Sequence, residues 1–338
     1  MVTQAFPLGK LPRYSSIFPN VRSFGIVGVF ILVCVVFALS NEYFMTIDNW
    51  RNLLRQSSIN AILAIGVTFV ILAGGIDLSV GSVMALCGMV SATFATSATM
   101  HSGLLAGTIQ AGSILQSTGI AVTAGILAGA LLGGINGFLV ARFSLPAFVA
   151  TLGMLSMARG MTLIYSDGRP IPNLSSSFLW FGGGDLSGIP VPVLILAIVF
   201  VAAYASMKYT AWGRYIFAVG GSTKAARTCG VSTRLITAST YVVCGALAGL
   251  AGVILTARTT AALPQAGAGY ELDAIAAVVI GGASLNGGRG SLVGTLVGAL
   301  IIGTINNGMD LVGVNSYYQQ LVKGLITILA VALDRARS

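Results

Sequence analysis

The stretch Ala73-Gly74-Gly75-Ile76-Asp77-Leu78-Ser79-Val80-Gly81-Ser82 decides how this chain is built. It sets a lone aspartate and paired glycines between two long apolar runs. Residues 56–76 hold no Asp, Glu, Lys or Arg, and neither do residues 78–141. A carboxylate at the seam of two membrane spans is costly, so it marks a position with a task.

Composition points the same way. The chain is 56% hydrophobic and 8% charged, where soluble domains run at roughly 45–50% and about 25%. A soluble protein of 338 residues needs more polar surface than this. The net charge of +9 does not indicate nucleic acid, because the basic residues sit in short connections and form no aromatic-interleaved patch. They read as the positive-inside bias of a membrane protein, near anionic lipid. Cys34, Cys87 and Cys244 lie in apolar runs and Cys229 in a basic loop. No pair has metal-ligand spacing, so we expect packing cysteines without a disulfide. Lys10, Arg13 and Arg22 precede the first apolar run, which reads as a retained anchor with no cleavable signal.

A helix needs about 20 apolar residues to cross a bilayer. Spans are expected near 24–40, 57–74, 78–96, 118–140, 146–165, 189–206, 236–257, 272–285, 291–308 and 317–333. The eighth is short. Its charge-free stretch, 274–288, reaches only about 22 Å at 1.5 Å per residue, as a re-entrant helix would. With the N-terminus in the cytoplasm, twelve of the 18 basic residues fall inside: Lys10, Arg13, Arg22, Arg142, Lys208, Arg214, Lys224, Arg227, Arg234, Arg289, Arg335 and Arg337. Four fall outside, at Arg51, Arg55, Arg169 and Arg258, and Arg159 and Lys323 lie within spans. The expected fold is therefore an all-α polytopic membrane protein of about ten transmembrane helices, both termini cytoplasmic. It divides into a cytoplasmic segment 1–22, one membrane domain 23–334 and a cytoplasmic tail 335–338.

Glycine organises the rest, with 44 residues. Gly125, Gly129, Gly133 and Gly137 recur every four positions, as do Gly290, Gly294 and Gly298. Such stripes let another helix approach closely, and the tight-packing reading outweighs a Gly-lined pathway. Gly74-Gly75-Ile76-Asp77-Leu78 is echoed by Gly281-Gly282-Ala283-Ser284-Leu285 at an offset of 207, the pattern of a weak parallel internal repeat.

Few residues carry chemistry. A P-loop is missing: the only Gly-Lys pair, Gly9-Lys10, is followed by Leu11, and Gln4 stands at the first glycine position. ATP, if used, binds another chain. The acids available to a proton relay are Asp77, Glu271 and Asp273, too few for one. Glu271 and Asp273 open the eighth helix, where the dipole favours carboxylates. Arg159 has the position to snorkel outward. Asp77 serves as a helix start or in gating, and both readings stand. No HExxH, no paired carboxylates and a single histidine, His101, in a small-residue loop, argue against an enzyme.

The inner loop 207–235 carries five positive charges and no acid. Gly213-Arg214-Tyr215 leads to Ala218-Val219-Gly220-Gly221-Ser222-Thr223-Lys224-Ala225-Ala226-Arg227-Thr228-Cys229-Gly230-Val231. Ser222 is suited to cap a short helix of about two turns, and Gly230 to end it in the left-handed region. Ala225 and Ala226 are small enough to enter a partner's groove.

These motifs resemble the permease subunits of ribose-, xylose- and arabinose-type ABC sugar importers, most closely the ribose-type members. The likeness runs from about Asn49 to Asp334. It includes Ala266-Gly267-Ala268-Gly269-Tyr270-Glu271-Leu272-Asp273, Gly287-Gly288-Arg289-Gly290, Asn306-Asn307-Gly308 and Tyr317-Tyr318-Gln319-Gln320. Ser316 and Gln319 make a capping box for the last span. Two departures stand out. Ser222 replaces the family's usual Asn, and residues 97–117 look inserted.

The resemblance implies a monosaccharide importer subunit with no cofactor of its own. MgATP would sit on a cytoplasmic ABC ATPase, a periplasmic sugar-binding protein would deliver substrate, and a second permease copy would complete the pathway. Permeases for branched-chain amino acids or nucleosides are the alternative, with an ATP-independent facilitator or channel behind them. The coupling candidates are Gly213, Arg214, Gly220, Gly221, Ser222, Lys224, Ala225, Ala226 and Gly230. The pathway or gating candidates are Gly74, Gly75, Asp77, Ser79, Asn306 and Asn307.

Overall fold

A computed structural model describes residues 20–96 and 118–337. The expected insertion at 97–117, His101 and most of the N-terminal segment 1–22 lie outside the described residues. The helices follow in chain order: α1 (Asn20–Ser40), α2 (Ile47–Leu72), α3 (Val80–Ala95), α4 (Thr118–Phe143), α5 (Ala147–Ser166) and the short α6 (Ser176–Gly183). A two-residue hairpin follows, β1 (Asp185–Leu186) antiparallel to β2 (Ile189–Pro190). Then come α7 (Val191–Tyr209), α8 (Ala211–Gly221), α9 (Thr223–Thr228), α10 (Thr233–Arg258), α11 (Tyr270–Ile280), α12 (Leu292–Leu311) and α13 (Ser316–Arg337).

Each of the ten expected spans holds a helix. Among the described residues, six are long and apolar enough to cross a bilayer: α2, α4, α5, α7, α10 and α12. Two fall short. α3 has 16 residues, and α11 has 11, about 16 Å of helix. α11 does not span; it is a half-helix. The chain reaches it through residues 259–269, which turn back into the bundle from the far end.

α2 lies at the centre. It is buried continuously from Ser57 to Leu72, the pattern of a helix apolar all round. α10 packs beside it and against α4. The stripe of Gly125, Gly129, Gly133 and Gly137 faces α10: a Cβ at Gly129 would strike the Gly245 carbonyl, and one at Gly133 the Tyr241 carbonyl. Gly245 and Gly249 answer from the other side. The stripe is tight helix packing, as expected. The second stripe is only partly helical. Gly294 and Gly298 press on Gly281 and Ala277, seating α12 on α11, but Gly290 precedes α12 and lies against Ala283 and Leu72.

The internal echo has a local cause. Gly74 N–H bonds the Ile71 carbonyl and Gly75 N–H the Val70 carbonyl; Gly282 and Ala283 repeat this with Val279 and Val278. Gly74 and Gly282 both have positive φ, 84° and 88°. α12 ends the same way at Gly313. These are Schellman helix stops, matching at an offset of 208 rather than 207, and they account for the echo without a repeat.

The bundle has two ends. At one, the end of α2 meets α8 and the loop before α12, where Gly288 N–H donates to the Leu72 carbonyl at 3.0 Å. At the other, Arg55 binds Asp185 and the Gly183 carbonyl, and Arg258 donates to Asn52 Oδ1 at 3.0 Å. Arg51, Arg55 and Arg258 thus separate from Arg214, Lys224 and Arg227. The capping box expected at Ser316 and Gln319 does not form. Asn315 Oδ1 accepts from Tyr317 N–H, while the Gln319 amide donates to Asp310 and the Val314 carbonyl. Asn caps as well as Ser does and stands one residue earlier, at the true helix start.

Candidate functional site

The turn between α2 and α3 is built around Asp77. The helix stop at Gly74 frees the chain, and Ile76 to Ser79 run inside the bundle before α3 begins. Asp77 and Ser79 are each 1% exposed. Asp77 Oδ1 accepts from Ser79 N–H at 2.9 Å and from Ser79 Oγ at 2.6 Å. Ser79 Oγ in turn accepts from Asn136 Nδ2 of α4 at 2.9 Å, and Tyr241 OH of α10 donates to the Ile76 carbonyl at 3.3 Å. Both readings left open by the sequence stand: Asp77 accepts the N–H of Ser79, the residue that opens α3, while Ser79 itself makes no side-chain capping bond. The carboxylate also holds an unwound segment whose backbone would otherwise lack partners inside the membrane.

The loop 207–235 holds two helices, not one. α8 was not expected; it starts on Thr210, whose Oγ1 accepts from Gly213 N–H. α9 forms as the sequence indicated: Ser222 Oγ accepts from Ala225 N–H at 3.2 Å, and Gly230 has φ 81°. Two features of the expected docking surface need correction. Ala226 is 5% exposed and packs inward, so it cannot enter a partner's groove; Thr223, Lys224 and Ala225 are exposed. Gly213 is buried against Met207, a packing residue between α7 and α8. Arg214, Gly221 and Ser222 are exposed.

Gly220 joins the two predicted clusters. A Cβ there would overlap the Leu72 carbonyl and crowd Gly288 N. Gly287 lies against both Gly74 and Gly220. The end of α8 therefore rests directly on the stop of α2, four residues before Ile76 and its unwound segment. A glycine is needed because backbone meets backbone at that point. The end of α8 and the turn that carries Asp77 are thus joined through the last residues of α2.

Asn306 and Asn307 are neighbours in sequence but serve different contacts. Asn307 exchanges two amide bonds with Asn49, at 2.9 and 3.0 Å, tying α12 to α2. Asn306 Nδ2 donates to Asp273 Oδ2 at 3.1 Å. The same oxygen accepts from Lys323 Nζ of α13 at 3.0 Å. Asp273 is thus more than a helix-dipole carboxylate. The pair was legible in principle, since a buried acid and a buried base in nearby spans each need a partner.

Arg159 also departs from expectation. It does not snorkel outward: Nη1 donates to the Pro264 and Ala266 carbonyls, both at 2.9 Å. It satisfies backbone of the re-entrant 259–269 segment. Just beyond, Glu271 Oε1 accepts from Gly269 N–H at 3.2 Å, and a Cβ at Gly81 would strike Glu271 and the Gly267 carbonyl. The starts of α3 and α11 therefore meet inside the bundle.

A family model described as "branched-chain amino acid transport system / permease component" matches residues 49–331. The ribose import permease protein of Escherichia coli (strain K12) is 45% identical over 316 residues, covering 92% of this chain and 93% of that protein. The ribose import permease protein of Bacillus subtilis (strain 168) is 46% identical over 313 residues, 92% of each. The D-allose transport system permease protein of Escherichia coli (strain K12) is 40% identical over 305 residues, 90% of this chain and 89% of that one. No solved structure matches significantly. With a family match spanning nearly the whole membrane domain and relatives aligned end to end, this chain belongs to the transport-system permease family.

Proposed function

We propose that this chain is the permease subunit of a binding-protein-dependent ABC importer that carries a ribose-like monosaccharide into the cytoplasm. The carrying observation is the 45% identity to a ribose import permease over 92% of the chain. Relatives named for D-allose and L-arabinose support the sugar class over amino acids. The chain itself is a transport component in the inner membrane, not an enzyme. MgATP binds the partner ATPase.

The geometry supplies a route for the work. The ATPase docks on the exposed face of α8 and α9, formed by Arg214, Gly221, Ser222, Thr223, Lys224 and Ala225. Its closure pushes α8, which bears through Gly220 on the end of α2. The Asp77 turn then shifts relative to Asn136 and Tyr241, opening the pathway alternately to each side. A second permease copy completes that pathway, and the binding protein docks at the hairpin end. The charge bias supports a cytoplasmic position for α8, α9 and both termini.

The test is uptake of labelled D-ribose by a host lacking its own ribose permease, with this chain expressed beside its binding protein and ATPase. D-Ribose uptake is the expected result. Leucine uptake without D-ribose uptake would replace this reading with an amino-acid permease. Orientation is checked by single cysteines: a thiol replacing Ser177 should react with impermeant reagent from outside, and one replacing Thr223 should be shielded.

A further inference from the structure

A cavity between α2, α11, α12 and α13 is unused by the coupling route above. It holds about 100 Å³, room for roughly three waters at about 30 Å³ each. Its wall is polar in an otherwise apolar bundle, with Gln56 and Asn60 on α2, Asp273 on α11, Asn306 on α12, and Gln319 and Lys323 on α13. Asn60 is 4% exposed, and neither its Nδ2 nor its Oδ1 has a partner; Asn306 Oδ1 has none either. Buried amides are almost always paired, so these atoms call for a polar partner other than the protein's own side chains.

Charge narrows the ligand. Lys323 repels a cation, Asp273 and the exposed Asp310 at the mouth repel an anion, and Lys323 and Asp273 already neutralise each other at 3.0 Å. A neutral ligand remains. The orphan atoms are one donor and two acceptors, set around a carboxylate oxygen. A hydroxyl both donates and accepts, so two adjacent hydroxyls can meet all three. Asp310 is among the lining residues and is exposed. It lies toward the hairpin end, where substrate would arrive. The volume suits one edge of a sugar ring, not the whole ring.

We infer that this cavity is a subsite receiving one hydroxyl-bearing edge of the transported neutral monosaccharide, with Asn60 and Asn306 as its specificity-determining contacts. The inference rests on the sugar-permease reading above. It gives the chain a binding step of its own, after release from the binding protein.

The experiment uses the permease–ATPase complex in lipid nanodiscs without binding protein, probed with D-ribose by saturation-transfer NMR. Uptake is measured in parallel in cells. The parent complex should show saturable transfer. Asn60→Leu, which fills the site with apolar atoms, should weaken binding by about tenfold, the scale of losing a buried amide's bonds, and uptake should fall with it. Asn306→Leu, from a different helix, should do the same, and both must copurify with the ATPase at parent levels. Absence of D-ribose binding by the parent, with cellular uptake intact, would show a water-filled void and overturn the inference while leaving the sugar-permease reading standing. Equal binding by parent and variants would also overturn it, whatever happens to uptake. If the parent cells take up no sugar at all, the underlying reading fails first.

Discussion

Asp77 and Asp273 are both carboxylates buried inside the bundle, at 1% and 4% exposure, yet their surroundings differ in kind. Asp77 is held by hydrogen bonds to a residue two positions on, and Ser79 is in turn held by Asn136. Glycine contacts close the region beyond it, where α2, α8 and the loop before α12 touch backbone to backbone. Asp273 has an ammonium partner and an amide partner from two other helices, and it borders a cavity with orphan amides. The Asp77 region is closed by local hydrogen bonds and backbone contacts, although Asn136 Oδ1 is left without a partner, and on our proposal it passes on a displacement. The Asp273 region has its ion pair but keeps unpartnered amides beside a polar cavity, and on our inference it receives a ligand. On these proposals the same residue type serves mechanical work in one region and recognition in the other.

The contrast can be broken most forcefully at the ion pair. Lys323→Met leaves Asp273 as a lone buried charge and should cost about 3–5 kcal/mol, read as a fall in melting temperature in detergent. The double variant Asp273→Asn with Lys323→Met should regain most of that loss. Equal melting temperatures for single and double variants would show that the two groups are not an energetic unit.

At the knit end, Gly220→Val drives a side chain into the Leu72 carbonyl. Overpacking of this kind costs about 1–3 kcal/mol, but uptake should be lost outright because α8 can no longer seat on α2. ATPase copurification should persist, since the exposed face is untouched. A variant with normal uptake would remove Gly220 from the coupling route.

Asp77→Asn sharpens the comparison further. It keeps the shape and one acceptor, and trades a charged hydrogen bond for a neutral one, a difference of about 1 kcal/mol. Expression should hold while uptake falls. If instead this change destabilises the protein as much as Lys323→Met does, the two carboxylates play equivalent roles and the contrast collapses.

The smallest effect belongs to Ser222→Ala, which removes the cap of α9 and should cost about 1 kcal/mol. Faster hydrogen exchange at the Ala225 amide is the direct readout, with a partial loss of uptake. Unchanged exchange would mean that packing at Ala226 alone holds α9.

Much of this was legible in residue order. Ten apolar stretches became ten helices, because long uncharged runs have few alternatives in a bilayer. Ser222 and Gly230 marked the ends of α9, since capping and left-handed φ are local demands met by local chemistry. The glycine stripe on α4 announced a close neighbour without naming α10. The stretch around Asp77 announced a break without naming its partners.

Tertiary structure decided what depends on residues distant in sequence. It made α11 a half-helix, because the chain re-enters the bundle before Tyr270 and Arg159 supplies the donors that let it. It turned Ala226 inward and left Ala225 outside, a matter of one residue's rotation about a short helix. It set Gly220 on Leu72 and Lys323 on Asp273, contacts separated by long stretches of chain. Periodicity and capping report the nearest few residues along the chain, so the sequence by itself determined where helices begin and end. Which helices meet, and which buried polar groups find or lack a partner there, is settled only when backbones pack in three dimensions.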